Sequence, residues 1–190
     1  MNYKVLIAAA LAATVVQARD VDPSLPQPWF KNGQPPAAEK CATGVDAEIE
    51  TRGTPNLTVK CDAPYEGFVG IMQNFAADKY RGQRVRFSAL VKSEGVEDRG
   101  GLWMRVDDVD KPGASFDNMQ RRPIKGTMDW APYAVVLDAS SKAQGIFFGF
   151  LLSGKGQIWI SDLRFEVVGN DIRPTGQALS TQPGNLNLTR

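Results

Sequence analysis

The chain of 190 residues contains no histidine. That absence removes the Ser-His-Asp and Cys-His arrangements of nucleophilic catalysis and every histidine metal site. Cysteine is scarce too: Cys41 and Cys61 are the only two. Two thiols without histidine make a poor zinc set, so a metal site is the weaker alternative to a disulfide. Neither sign of charge predominates, the net being +1, whereas a nucleic-acid partner calls for clustered Lys and Arg. The most basic run, "YRGQRVR", spreads its charges between the apolar residues of a strand and reads as a solvated face. No glycine-rich loop follows a strand and opens a helix, which argues against nucleotide binding. No window holds a convincing helical period, and beyond the first residues no apolar run is long enough to cross a membrane.

The first residues read as an address. Lys4 supplies a short positive region, residues 5–16 an apolar run, and Val16-Gln17-Ala18 a small-x-small cleavage pattern. This is the layout of a secretory signal peptide over residues 1–18, which predicts a periplasmic or secreted product. In such a compartment Cys41 and Cys61 are expected to pair. The bridge would close a loop of about 20 residues and contribute roughly 3 kcal/mol in the chain-entropy picture.

A domain is expected over residues 19–168, with its core at about 27–168. Its proline-rich lead-in, 19–40, is expected to be anchored by Trp29 and Phe30. Residues 169–190, rich in Gly, Pro, Asn and Thr, read as a flexible tail. Between them lie short alternating segments: "NLTVKC", "GFVGIMQNF", "RVRFSALVK", "LWMRVD", "YAVVLDA", "IFFGFLLS" and "QIWISDLRFEVV". In "RVRFSALVK" Val85, Phe87, Ala89 and Val91 point one way, and Arg84, Arg86, Ser88 and Lys92 the other. Short strands with Gly, Pro, Asp and Asn between them predict an all-β sandwich or barrel of antiparallel strands. The stretch 76–82 has room for one helical turn.

The segments "GLWMRVD", "FDNMQRRPIKGTMDW", "YAVVLDAS", "IFFGFLLSGKGQIWISDLRFEVV" and "YRGQRVRFSALVKSEGV" together resemble a bacterial jelly-roll module. It is similar to the galactose-binding-like and carbohydrate-binding-module domains over about residues 27–168. The resemblance implies a two-sheet antiparallel jelly-roll sandwich of eight to ten strands, and binding rather than catalysis. Modules of this kind also occur appended to bacterial regulatory proteins. The resemblance further brings a structural calcium into view, for which Asp162 in "WISDLRF" stands in the matching place. The N-terminal segment offers no clear acidic partner for it.

Within that frame, Trp103, Arg105 and Asp107 share one face of a strand. An indole packs on the apolar face of a sugar ring, and Arg and Asp bond its hydroxyls. Asp117 and Asn118 are expected at the rim. The same residues allow a plainer reading, with Trp103 in the core, Arg105 and Asp107 a structural pair, and the "FDNM" loop a turn held by Asx hydrogen bonds. Trp130 is expected to staple a sandwich edge. Trp159, alternating with Ser161, Leu163 and Phe165, is expected in the core, and Gln73 suits either a buried amide or a ligand contact. The leading expectation is an exported, non-catalytic carbohydrate-binding module. Its alternatives are an interaction module for another envelope protein and a carbohydrate-active enzyme using Asp107 and Asp117 as paired carboxylates.

Overall fold

The computed structural model describes residues 24–35, 37–51 and 54–176. The expected signal peptide lies outside them, as does the end of the expected tail. Nine strands occur among the described residues: β1 (Phe30–Gly33), β2 (Cys41–Thr51), β3 (Thr54–Cys61), β4 (Val69–Ala76), β5 (Arg84–Asp108), β6 (Lys111–Asp117), β7 (Ile124–Asp138), β8 (Ala143–Ser153) and β9 (Gly156–Val168). The stretch expected to hold one helical turn holds a 3-10 turn at Asp78–Tyr80.

All pairings are antiparallel, and the hydrogen-bonded order is β1-β4-β8-β5-β9-β3-β2, with β6 and β7 also on β5. The 25-residue β5 makes this one path into two layers. Its first half, Arg84–Glu94, pairs with β9, and its second half, Arg99–Asp108, pairs with β8. Between the halves Gly95 adopts φ +57°, a left-handed conformation that costs glycine nothing. The chain bends there and folds the second half over the first. Layer one is β1, β4, β8, the end of β5, and β6; layer two is β2, β3, β9, the start of β5, and β7.

The alternating apolar residues of both layers meet between them. Val85, Phe87, Ala89 and Val91 from layer two pack with Leu102, Met104, Val106, Ile146, Phe148 and Phe150 from layer one. An aromatic seam ties the layers: Phe87 to Phe148 at 4.8 Å between ring centroids, and Phe148 to Phe165 at 5.0 Å. Trp29 joins it at 5.7 Å from Phe148, and Phe30 packs on the opposite side of layer one. Both residues thus anchor the lead-in as expected. Together these features make the jelly-roll sandwich that the strand pattern and the resemblance predicted.

Three segments differ from the sequence reading. The loop expected after Asp107 contains β6, whose Lys111 pairs with Asp108 in a tight hairpin. The long β2 forms a hairpin with β3. The first residues of the expected tail are hydrogen-bonded to the sheet: Arg84 donates to the carbonyls of Asn170 and Ile172, and Thr175 exchanges bonds with Val136.

Cys41 and Cys61 face each other in register on β2 and β3, with Cα atoms 4.5 Å apart, and form the disulfide. Beside it Tyr65 donates to the Leu152 carbonyl at 2.6 Å. Burial pushes the Tyr65 phenol up to about 12, from 10.0.

Replacing both cysteines by alanine should lower the unfolding free energy by about 3 kcal/mol, read from urea titrations of the oxidised protein and the double variant. The shifted phenol makes stability depend on pH at the alkaline end. The unfolded chain loses this proton first, so the contribution of Tyr65 should be intact below about pH 10 and vanish as pH rises through about 12. Ultraviolet difference titration of the parent against Tyr65→Phe should show the Tyr65 phenol ionising only as pH rises through about 12.

Candidate functional site

The strand that drew attention in the sequence lies in layer one, and its faces are as the alternation predicted. Leu102, Met104 and Val106 point into the sandwich, while Trp103, Arg105 and Asp107 point outward. The outward face is nonetheless largely covered at its indole. Trp103 is 8% exposed and packs with Met72 and Leu151, flanked by Phe30, Phe68 and Phe147. It is the centre of a second apolar cluster, not an open platform for a sugar ring. Arg105 lies over the Phe147 ring at 4.4 Å and pairs with Asp107, whose Oδ1 also accepts from the Gly113 amide at 2.7 Å. That carboxylate fixes the β5–β6 hairpin.

Asp117 and Asn118 serve the following turn. Asp117 is 7% exposed; its oxygens accept two bonds from Arg122, at 2.6 and 3.2 Å, and one from the Met119 amide. Asn118 accepts from the Gln120 amide at 3.2 Å. This is the Asx-held turn of the plainer reading, so the expected ligand rim is corrected: Asp117 is buried and engaged. The paired-carboxylate arrangement is corrected as well. Asp117 pairs in register with the inward-facing Met104, while Asp107 lies on the outer face. The two carboxylates sit on opposite sides of one sheet and cannot flank a bond.

The outer face of layer two carries a groove that the sequence reading passed over as a solvated surface. Its volume is about 380 Å³. Ser88, Ala89 and Leu90 of β5 lie along it, with Pro132 and Tyr133 of β7 on one side and Asp162, Arg164 and Glu166 of β9 on the other. Two ion pairs line it. Arg86 meets Glu166 at 3.0 Å across the strands, and Arg164 meets Asp162 at 3.2 Å. The signal was present in the outward set Arg86 and Ser88 and in the "LRFEV" charges, which only strand pairing brings together.

A bulge in β9 opens this place. Ser88 pairs with Arg164 but Leu90 with Ser161, so Asp162 and Leu163 stand opposite Ala89 alone. Asp162 adopts φ +48°, a conformation rare outside glycine and found where surrounding structure enforces it. The extra residue also reverses the faces of the strand. Leu163 and Phe165 pack on the core, whereas Trp159 is buried on the outer side, where its Nε1 donates to Asp46 at 2.7 Å. The expectation of Trp159 in the central core is corrected for that reason. Asp162, considered as a calcium ligand, is ion-paired to Arg164. Among the described residues no group of three or more His, Cys, Asp or Glu side chains is placed to hold a metal ion.

No known family profile matches the chain. It is 37% identical over 160 residues to the uncharacterized HTH-type transcriptional regulator YbfP of Bacillus subtilis (strain 168). The match covers 83% of this chain and 52% of that protein, so the chain spans about half the length of this relative. Among solved structures it is similar to the CBM22-1 and GH10 modules of Clostridium thermocellum endo-1,4-β-D-xylanase 10B in complex with xylohexaose. There the TM-score is 0.53 at 14% identity, over 76% of this chain and 27% of that one. It is also similar to the xylan-binding domain of CBM family 22, with a TM-score of 0.52 at 11% identity, over 80% of this chain and 94% of that one. These likenesses establish the fold, the β-sandwich of the carbohydrate-binding modules. No described helix is long and apolar enough to cross a membrane.

Because the indole is packed, Trp103→Ala should lower stability by about 3–5 kcal/mol, read from the chemical denaturation midpoint. A surface platform would lose well under 1 kcal/mol on the same substitution.

Proposed function

We propose that the chain is an exported, non-catalytic module that holds a carbohydrate in the groove on the outer face of layer two. The observation that carries this reading is the groove's lining: two guanidinium–carboxylate pairs with the Ser88 hydroxyl between them. Such a lining offers charge-assisted donors and acceptors at fixed spacing, which suits a ligand bearing many hydroxyls. The fold supports it, since the sandwich is shared with modules whose descriptions name xylan and xylohexaose. The disulfide and the leader-like first residues support export.

A second reading follows from the relative. A protein described as a transcriptional regulator matches this chain over about half its length. In this chain the same groove would then be a ligand-sensing site that serves regulation. Both readings need a small ligand. An envelope protein as partner is instead the reading to adopt if no ligand binds.

The test is calorimetric titration of the oxidised chain with soluble xylan and xylohexaose after a broad glycan array. Arg164→Ala and Arg86→Ala should each weaken binding at least tenfold, the effect of losing a charged hydrogen bond, with little change in melting temperature. Silence across the array, or full binding by both variants, would sink the groove reading.

A further inference from the structure

Of the four tryptophans, three are packed. Trp29 meets Phe148 edge-on, Trp103 centres the second apolar cluster, and Trp159 is 2% exposed. Trp130 is different. It is partly exposed and packs with neither apolar cluster, so it is not the sandwich-edge staple the sequence suggests.

The pleat places its indole. Val91 points into the core and pairs with Ala131, so Ala131 turns inward and the next residue, Trp130, turns outward. Just beyond, the register slips by one. Ser93 pairs with Met128, so Asp129 and Trp130 together stand opposite Lys92. Asp129 Oδ1 holds this bulge, accepting from Lys92 Nζ at 3.2 Å and from the Trp130 amide at 2.9 Å.

The same outer face carries the groove. Leu90 and Pro132 are a cross-strand pair that lines it, and Lys92 and Trp130 are the next outward positions on the same two strands. Two residues along a strand span about 7 Å, so Trp130 stands one outward step past the Leu90–Pro132 end. From Arg86, at the other end, to Lys92 the strand runs about 20 Å. The groove has no aromatic face of its own, because Tyr133 pairs with the inward-facing Ala89 and its ring is committed to the core.

We infer that the Trp130 indole is the stacking platform for one pyranose ring of a glycan chain whose other units lie in the groove. This rests on the groove being a glycan site and extends that site by one subsite. The chemistry follows from indole and groove together. A pyranose presents C–H groups on its faces and hydroxyls around its rim. The indole takes a face, and Ser88 with the two guanidinium–carboxylate pairs takes hydroxyls. One sugar ring does not reach from Arg86 to Trp130, so the ligand class is an oligosaccharide.

The parent, Trp130→Ala and Trp130→Phe, all oxidised, would be titrated calorimetrically with xylohexaose and with cellohexaose and melted without ligand, with Arg164→Ala alongside. Trp130→Ala should bind the tighter hexasaccharide about tenfold more weakly. Trp130→Phe keeps an aromatic face and should stay within about threefold of the parent. Ligand-free melting temperatures of both should lie within about 2 °C of the parent, since no core contact is lost. Equal binding by Trp130→Ala and parent would overturn the platform, and weakened binding by Arg164→Ala in the same experiment would leave the groove reading standing. A phenylalanine variant as weak as the alanine one would also overturn it, because the aromatic face would then not be what the ligand meets. So would a Trp130→Ala melting temperature several degrees lower, since the indole would then be structural. Failure of the parent to bind either hexasaccharide is a different result, overturning the groove reading and the platform with it.

Discussion

The molecule depends on β5 belonging to both layers. A strand of 25 residues that bends at Gly95 pairs with β9 and β7 over its first half and with β8 and β6 over its second. Four strands pair directly with β5, and β4 and β3 join through β8 and β9, carrying β1 and β2 at the two edges. The core follows from the same constraint. Phe87 on the first half and Leu102, Met104 and Val106 on the second all turn inward, so the bend sets them face to face. The disulfide works at one edge of the ladder, joining β2 to β3 three strands from β5. A long central strand thus supplies the topology and a covalent clasp secures its margin.

Period-two alternation made much of this legible. "RVRFSALVK" and "LWMRVD" assign their faces correctly because nothing interrupts the pleat within them. What alternation does not carry is the depth of covering on the outer side. Trp103 points outward as its position requires, yet it is packed by Phe30, Met72, Phe147 and Leu151, which arrive from three other strands. Exposure on a sheet face is decided by the lateral neighbours, and a single strand's sequence does not name them. The same limit hid the groove: Arg86 and Glu166 lie 80 positions apart and become a pair only through the register of β5 on β9.

One inserted residue accounts for the largest error of face. The pattern in "WISDLRF" reads as unbroken alternation, which sends Trp159 to the same side as Phe165. The bulge at Asp162 and Leu163 shifts the phase by one, so residues before it and after it exchange sides. A non-glycine residue at positive φ leaves no signature in the sequence, since aspartate is ordinary at most positions. Yet this irregularity widens the spacing between Arg164 and Ser161 and thereby shapes the groove.

The unpartnered polar atoms also differ in meaning according to where they lie. Trp103 Nε1 has no partner, but it sits in an apolar cluster, where the ring's dispersion contacts and burial offset a missing bond. Ser161 has no such compensation. A hydroxymethyl group buries little apolar area, and alanine would fill the site without the cost of dehydrating a hydroxyl. Stability alone therefore does not account for a serine there, least of all beside an asparagine whose own oxygen is open. Ser161 Oγ and Asn56 Oδ1 both lie beneath the surface of layer two, out of reach of solvent.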